Sequence, residues 1–171
     1  MIINASPLII LGKLNKMEIL KKIYPNIEIS KAVYDEVVIE GMKKNAPDAQ
    51  IIKEHIDKKH IKIYELSAEF ASKAKRMRQI YGIDIGEAET IALALQLKER
   101  DIIIDEISAR ETAKSLGVKP IGTLRILLLA YEKKLIKKND IKEAVIQMQR
   151  SKYRLGPAIL LEFWELFDKL K

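Results

Sequence analysis

The sequence predicts an α/β fold: a Rossmann-like three-layer sandwich in which helices cover both faces of a parallel sheet, with further helices at the C-terminal end. Three observations carry that expectation. Short β-branched runs alternate with amphipathic stretches through roughly the first 130 residues. The runs are short, and those at Ile2-Ile3 and Ile102 to Ile104 are apolar throughout, as strands buried on both faces are. No internal repeat, low-complexity tract or linker interrupts the 171 residues, a length that suits one domain.

Each element has a local reason. Ile2-Ile3 is a buried strand ended by Asn4. Ser6-Pro7 opens a helix, with Ser as cap and Pro in the first turn, where its missing N–H costs nothing. Met17 to Ile23 is a second amphipathic helix, stopped before Pro25. Ile27-Glu28-Ile29 is a strand, and Ser30 caps a helix that turns Val33, Val37 and Val38 inward and ends near Gly41. Asn45 to Asp48 is a turn leading into a helix that reaches about Lys59, and Ile61 to Tyr64 alternates as a strand. Ser67 caps a helix to Tyr81 that Gly82 ends. Ile83 to Gly86 is a loop, and an Ala- and Leu-rich helix runs from Glu87 to about Lys98. Ile102 to Ile104, between Asp101 and Asp105, is the strongest strand signal. Ser108 to Glu111 is a capping box for a helix closed by Gly117. Val118 to Ile121 is a strand, and helices follow from Thr123, around 140–150 and over 157–170.

Composition removes whole classes of chemistry. With no cysteine, disulfide scaffolds, thiolate zinc sites, iron–sulfur clusters and cysteine nucleophiles are excluded. The glycines form neither a dinucleotide-binding loop nor a phosphate-binding lysine loop, and no metalloprotease or nucleophile-elbow motif is present. The only two histidines, His55 and His60, fall around the end of a surface helix, where nothing nearby in sequence completes a ligand set. They are expected to be exposed bystanders. No apolar stretch reaches the ~18 residues of a spanning helix and no leader precedes the first strand, so an intracellular, cytoplasmic protein without a membrane partner is the expectation.

What remains is carboxylates. In open parallel sheets ligands bind beyond the carboxyl ends of the strands. Asn4 and Asp105 end strands, and Glu106 follows. Taken alone, Asp105 reads more readily as a helix or loop cap than as a ligand. Glu87 and Glu89 lie in a first helical turn, where acids complement the macrodipole, but the Gly86 turn lets that backbone approach another segment. Glu36 lies among apolar neighbours, where an unpaired carboxylate is costly to bury; Asp35 is its exposed alternative.

The formal charge of +7 hides a split. Residues 84–111 hold eight acids against three bases, net −5, whereas residues 133–154 hold eight bases against two acids, net +6. Clustered carboxylates favour a cation, and oxygen-only donors suit Mg²⁺ or Mn²⁺ rather than zinc. A metal pocket beside a basic surface suits cleavage of a phosphate backbone; the basic stretch also reads as an ordinary solvated helix face.

The segments Asn4-Ala5-Ser6-Pro7-Leu8-Ile9, Ala32-Val33-Tyr34-Asp35-Glu36-Val37, Gly86-Glu87-Ala88-Glu89-Thr90-Ile91-Ala92-Leu93-Ala94, Ile104-Asp105-Glu106 with Ala109-Arg110, and Ile121-Gly122-Thr123-Leu124 together resemble the PIN-like nucleases. The resemblance is to a prokaryotic branch related to the VapC toxins. It covers about residues 1–155 as a PIN-like nuclease domain. Residues 156–171 form a C-terminal helix, packed on the same domain or on a dimer partner. The resemblance implies a homodimer with acids around Mg²⁺ or Mn²⁺ that hydrolyses RNA, often as a toxin held by a small antitoxin protein. Carried over, Asn4 takes the first acid position and Ser6 the hydroxyl beside it. Glu36, Glu87 and Asp105 take the second to fourth as catalytic and metal-binding acids, with Glu89 and Glu106 as assisting neighbours. The family pattern has Asp at the first position, and Asn4 supplies one negative charge fewer.

Three functions follow as expectations. The first is a metal-dependent ribonuclease using Asn4, Ser6, Glu36, Glu87 and Asp105. The second is a catalytically weakened RNA-binding or regulatory protein on the same fold. The third is a protein-binding module built on the stripe Leu160, Phe163, Trp164, Phe167 and Leu170, which also reads as the cover of the domain's own core.

Overall fold

The computed structural model describes residues 1–151, 153 and 155–170. By compactness the chain divides into two units, Met1–Gly122 and Thr123–Lys171.

The first unit is the α/β sandwich expected. Among the described residues its sheet has five strands, β1 (Ile2–Ile3), β2 (Ile27–Ser30), β3 (Ile61–Tyr64), β4 (Asp101–Ile103) and β5 (Lys119–Ile121), in the order β3-β2-β1-β4-β5. Every pairing is parallel, with Ile2 opposite Glu28 on one side and Ile102 on the other. Ile2, Ile3, Ile102 and Ile103 are fully buried, which is why these strands read as unbroken apolar runs. The strand order reverses at β1. The chain builds outward from β1 to β3, then returns to lay β4 and β5 on the other side. Such a reversal opens a crevice beyond the carboxyl ends of the two strands that flank it, here β1 and β4, so Asn4 and Asp105 lie at its floor.

The helices that line the crevice follow from the residues they bury. Helix α1 (Ala5–Lys13) leaves β1 directly, and α2 (Met17–Ile23) leads to β2. A continuous helical rod then spans α3 (Lys31–Tyr34), a π-helical segment (Asp35–Glu40) and α4 (Gly41–Lys43). Ser30 caps it as expected, its side chain accepting from Val33 N at 3.3 Å. The π segment is the physical answer to a packing conflict. Val33, Val37 and Val38 are all buried. Val33 and Val37, four apart, share a face of an α-helix, but Val38, five from Val33, falls about 140° round it, and a wider turn bonded i to i+5 brings it back toward that face.

Helix α5 (Pro47–Asp57) precedes β3, and α6 (Ala68–Tyr81) ends at Gly82, whose φ of 65° is the left-handed conformation a helix C-terminus favours. Helix α7 (Ile85–Leu97) crosses back to β4. Ala88, Ile91, Ala92, Leu93 and Ala94 are each fully buried, so α7 is apolar nearly all round because it is covered nearly all round. Its alanines let α6 pack close. Helix α8 (Ile107–Ser115) lies between β4 and β5. Its N-cap is Glu106 rather than Ser108, two residues earlier than the capping-box pattern places it.

The second unit holds α9 (Thr123–Glu132), α10 (Lys138–Arg150) and α11 (Pro157–Lys169), with α10 and α11 both packed on α9. Of the α11 stripe, Phe163 and Phe167 are buried and Phe167 lies 5.0 Å from the Tyr131 ring, while Leu160, Trp164 and Leu170 are half-exposed. Lys152 and Arg154, two bases of the 133–154 stretch, lie outside the described residues. Among the described residues no helix is long and apolar enough to cross a membrane.

Candidate functional site

Asn4 is the pivot of the crevice. Its backbone N–H still belongs to the sheet, donating to Ile103 O at 2.9 Å, while its extended backbone (φ −83°, ψ 169°) makes it the N-cap residue of α1. Ser6 is therefore not the cap. It sits one place into the helix, exposed, two residues from Asn4. The Asn4 side chain is buried at 4% exposure. Thr90 Oγ1 lies 3.2 Å from Asn4 Oδ1 and donates to Gly86 O at 2.7 Å, so one buried hydroxyl ties the end of β1 to the first turn of α7.

Gly86 brings three elements together. A Cβ placed on it would lie 3.3 Å from Glu36 Oε2, 3.7 Å from Asn4 Oδ1 and 3.8 Å from Val33 Cγ2. The missing methyl leaves a cradle faced by a carboxylate oxygen and an amide oxygen from segments 32 residues apart in sequence. Glu36 reaches it from the π segment. As a residue Glu36 is exposed, not enclosed among apolar neighbours as its sequence context predicts, because the π turn rotates it away from Val37 and Val38. Asp35 is half-buried and pairs with Lys31. The Glu36 carboxyl nonetheless rests against the Gly86 turn. Desolvation there pushes its pKa up, the Asp84 charge pushes it further, and Lys44 pulls it partly back.

Helix α7 begins two residues before Glu87, and Glu87 Oε2 accepts from Asp84 N at 2.9 Å, the reach-back half of a capping box. Desolvation raises the Glu87 pKa, that hydrogen bond opposes the rise, and the charges of Asp84, Glu106 and Glu36 add to it. The acids 36, 84, 87 and 106 thus share one field. Asp84 was hidden from the sequence because Ile83–Gly86 reads as a loop; the Asp-x-x-Glu spacing of a capping box was the available signal. Asp105 is half-exposed at the end of β4, with its Oδ1 3.2 Å and Arg110 Nη1 3.3 Å from where a Gly122 Cβ would be. Arg110 also donates to Ile104 O at 3.0 Å, holding the strand end in place. Glu89 has another task. Its Oε2 accepts from Ala32 N at 3.0 Å, capping the rod that carries Glu36 and fixing it to α7.

This donor set fits a hard divalent ion. The oxygens are carboxylate or amide, two of the carboxyls are held above their ordinary value by desolvation and, in second place, by neighbouring acids, and the Gly86 cradle leaves space between Asn4 and Glu36. It does not fit zinc, which takes nitrogen or sulfur donors first.

The histidines depart from expectation. His55 is buried at 7% exposure and His60 is half-buried, and with Glu18 of α2 they bring one donor atom each to within 4.8 Å of one another. The third member is 37 residues from His55 in sequence and adjacent only in the fold.

No curated protein matches the chain. The family model described as DUF3368, PIN domain, matches residues 1–169, which takes in α11 as well as the sheet. Five parallel strands, a crevice at the reversal of strand order and acids gathered at its mouth accord with that match, and the chain belongs to the PIN domain family, a nuclease-type fold.

Proposed function

We propose that this chain is a divalent-metal-dependent ribonuclease acting at the crevice between β1 and β4. The observation that carries the reading is the Gly86 cradle, where Asn4 Oδ1 and Glu36 Oε2 face one gap and the carboxyls of Glu36 and Glu87 are pushed up by desolvation and by the charge of neighbouring acids. Glu36, Glu87 and Asp105 would hold Mg²⁺ or Mn²⁺, with Asn4 and Ser6 completing the set through an amide oxygen and a hydroxyl. The ion, when bound, supplies activation of water and neutralises charge on the leaving oxygen of a phosphodiester.

The chain's own residues do the rest. Thr90 holds Asn4, Glu89 holds the rod bearing Glu36, and Arg110 holds the Asp105 turn. The lysines of α10, Lys138 and Lys142, offer sequence-independent affinity for an RNA backbone. A recessed site favours a single-stranded loop, whose phosphate can enter it. The same reading includes a homodimer and a small antitoxin partner.

The test is cleavage of a single-stranded RNA with Mn²⁺, with Mg²⁺ and with chelator. Metal-dependent cleavage that Asp105→Asn with Glu87→Gln abolishes is expected; cleavage by that double variant at the parental rate overturns the proposal. Asn4 favours a second reading, a catalytically weakened RNA-binding or regulatory protein. Its mark is salt-dependent RNA binding with no heat of Mn²⁺ binding at millimolar metal.

A further inference from the structure

Away from the crevice, α2 and the C-terminal end of α5 meet through four polar side chains. Lys59 adopts a left-handed backbone (φ 59°) just past α5, and His60 N donates to His55 O at 2.9 Å. That turn folds His60 back over His55, placing the two rings 5.4 Å apart at 60°. Their Nδ1 atoms are 3.4 Å apart. Glu18 Oε1 lies 3.7 Å from His55 Nε2, and Lys21 Nζ lies 2.8 Å from His60 Nε2.

As hydrogen bonding alone, this cluster is loose. A contact of 3.4 Å is long for N–H···N and 3.7 Å is beyond hydrogen-bond range, so the buried His55 ring has no short contact in the cluster. As coordination, the same spacing is apt. Two nitrogens each about 2.0–2.1 Å from a tetrahedral ion lie about 3.3–3.4 Å apart.

We propose that Glu18, His55 and His60 form a second metal site, one that takes a borderline ion such as Zn²⁺ rather than the Mg²⁺ or Mn²⁺ suited to the carboxylate crevice. Two imidazoles and one carboxylate are a zinc-type donor set with a fourth position left for water. The histidines are fixed by the left-handed turn and by burial, so little ordering is required of them. Glu18 is exposed on its helix and lies beside the other ring nitrogen of His55, from which its carboxylate must swing toward the paired Nδ1 atoms. Burial also holds His55 below the ordinary imidazole pKa, which keeps its lone pair available at neutral pH. Lys21 is the competing cation. While its ammonium donates to His60 Nε2, the neutral ring carries its proton on Nδ1, the atom that must face the ion, so Lys21 has to release Nε2 before the ion settles. A bound ion would clip α2 to the turn between α5 and β3, bracing one side of the sheet.

The experiment titrates Zn²⁺ into the metal-stripped full chain in competition with a chromophoric chelator. A parallel arm uses the triple variant Glu36→Gln/Glu87→Gln/Asp105→Asn, which removes the crevice acids. One equivalent of Zn²⁺ retained by the triple variant is expected. In that background His60→Ala and His55→Gln each weaken binding by at least about tenfold, while Lys21→Met tightens it. Circular dichroism without metal establishes that each variant is folded, and His60→Ala, in a surface turn, serves if His55→Gln is not. Co²⁺ in place of Zn²⁺ gives tetrahedral visible absorption in the triple variant and none once His60 is replaced. Absence of zinc binding in the triple variant, or binding that survives both histidine substitutions unchanged, overturns the proposal.

Discussion

Replacing Gly86 by alanine separates stability from metal binding. Gly86 is the second residue of α7 with ordinary helical backbone, so alanine there gains helix propensity. An interior position is worth about 0.5–1 kcal/mol, and a place in the first turn takes the lower end. Against this stands the new methyl. Its contacts to Asn4 Oδ1 at 3.7 Å and Val33 Cγ2 at 3.8 Å are ordinary van der Waals distances, and only the 3.3 Å approach to Glu36 Oε2 is tight. Glu36 is exposed and can turn aside by a few tenths of an ångström. The metal-free protein should therefore be stabilised by about 0.5 kcal/mol, raising Tm by about 1–2 °C for a chain of this size. The methyl also occupies the gap between the two oxygens, so the gain in Tm that millimolar Mn²⁺ gives the parent should shrink or vanish, and RNA cleavage with it. Thermal melts with and without Mn²⁺, beside a cleavage assay, read both effects. Parental Mn²⁺ stabilisation and parental cleavage would refute the placement of the ion in this cradle. A loss of more than about 1 kcal/mol without metal would refute the argument that Glu36 yields.

Three other outcomes follow from the same geometry. The Glu36 pKa is raised in the fold, so its contribution to stability is fully present below its ordinary value of 4.5 and is lost as pH rises through the folded value. Glu36→Gln should therefore be more stable than the parent at pH 7, by about 0.5 kcal/mol once solvent screening is allowed for; in urea titrations the gap should close by about pH 4. Asn4→Asp restores a charge at the first acid position and should strengthen Mn²⁺ binding and cleavage while destabilising the metal-free protein at pH 7, read by calorimetry and melting. Glu89→Ala removes the acceptor for Ala32 N and should cost about 1 kcal/mol and lower cleavage by loosening the Glu36 rod, whereas Glu89→Gln keeps the bond and should keep both.

The strands were legible because each is a short run rich in isoleucine or valine between helical stretches, and the central ones, β1 and β4, are apolar where a doubly covered parallel sheet buries them; the sheet order, which depends on non-local pairing, was not. The closeness of Asn4 to Gly86 was partly legible, since a glycine opening a helix signals close approach. The π segment was not. It answers the need to bury Val33, Val37 and Val38 together, a requirement of the packed helix that no local residue announces. That is also why Glu36 reads as enclosed in sequence and is exposed in the fold. Asp84 was missed because a helix start two residues earlier turns a loop acid into a cap. The histidines read as bystanders because no third ligand lies near them in sequence, yet the left-handed Lys59 and the docking of α2 bring Glu18 beside them.

The pairing of β1 has a consequence for how the chain is made. Its two residues bond to β2 about 25 positions on and to β4 about 100 positions on, and the crevice lies beyond the second of these pairings. A chain emerging from the ribosome carries Asn4 and Glu36 early, but its floor is missing until residues 101–105 arrive and slot beside Ile2 and Ile3. Non-local pairing of this kind forms late. The nascent chain therefore lacks the completed crevice while most of it is being synthesised, and any hydrolytic power waits on closure of the central strands.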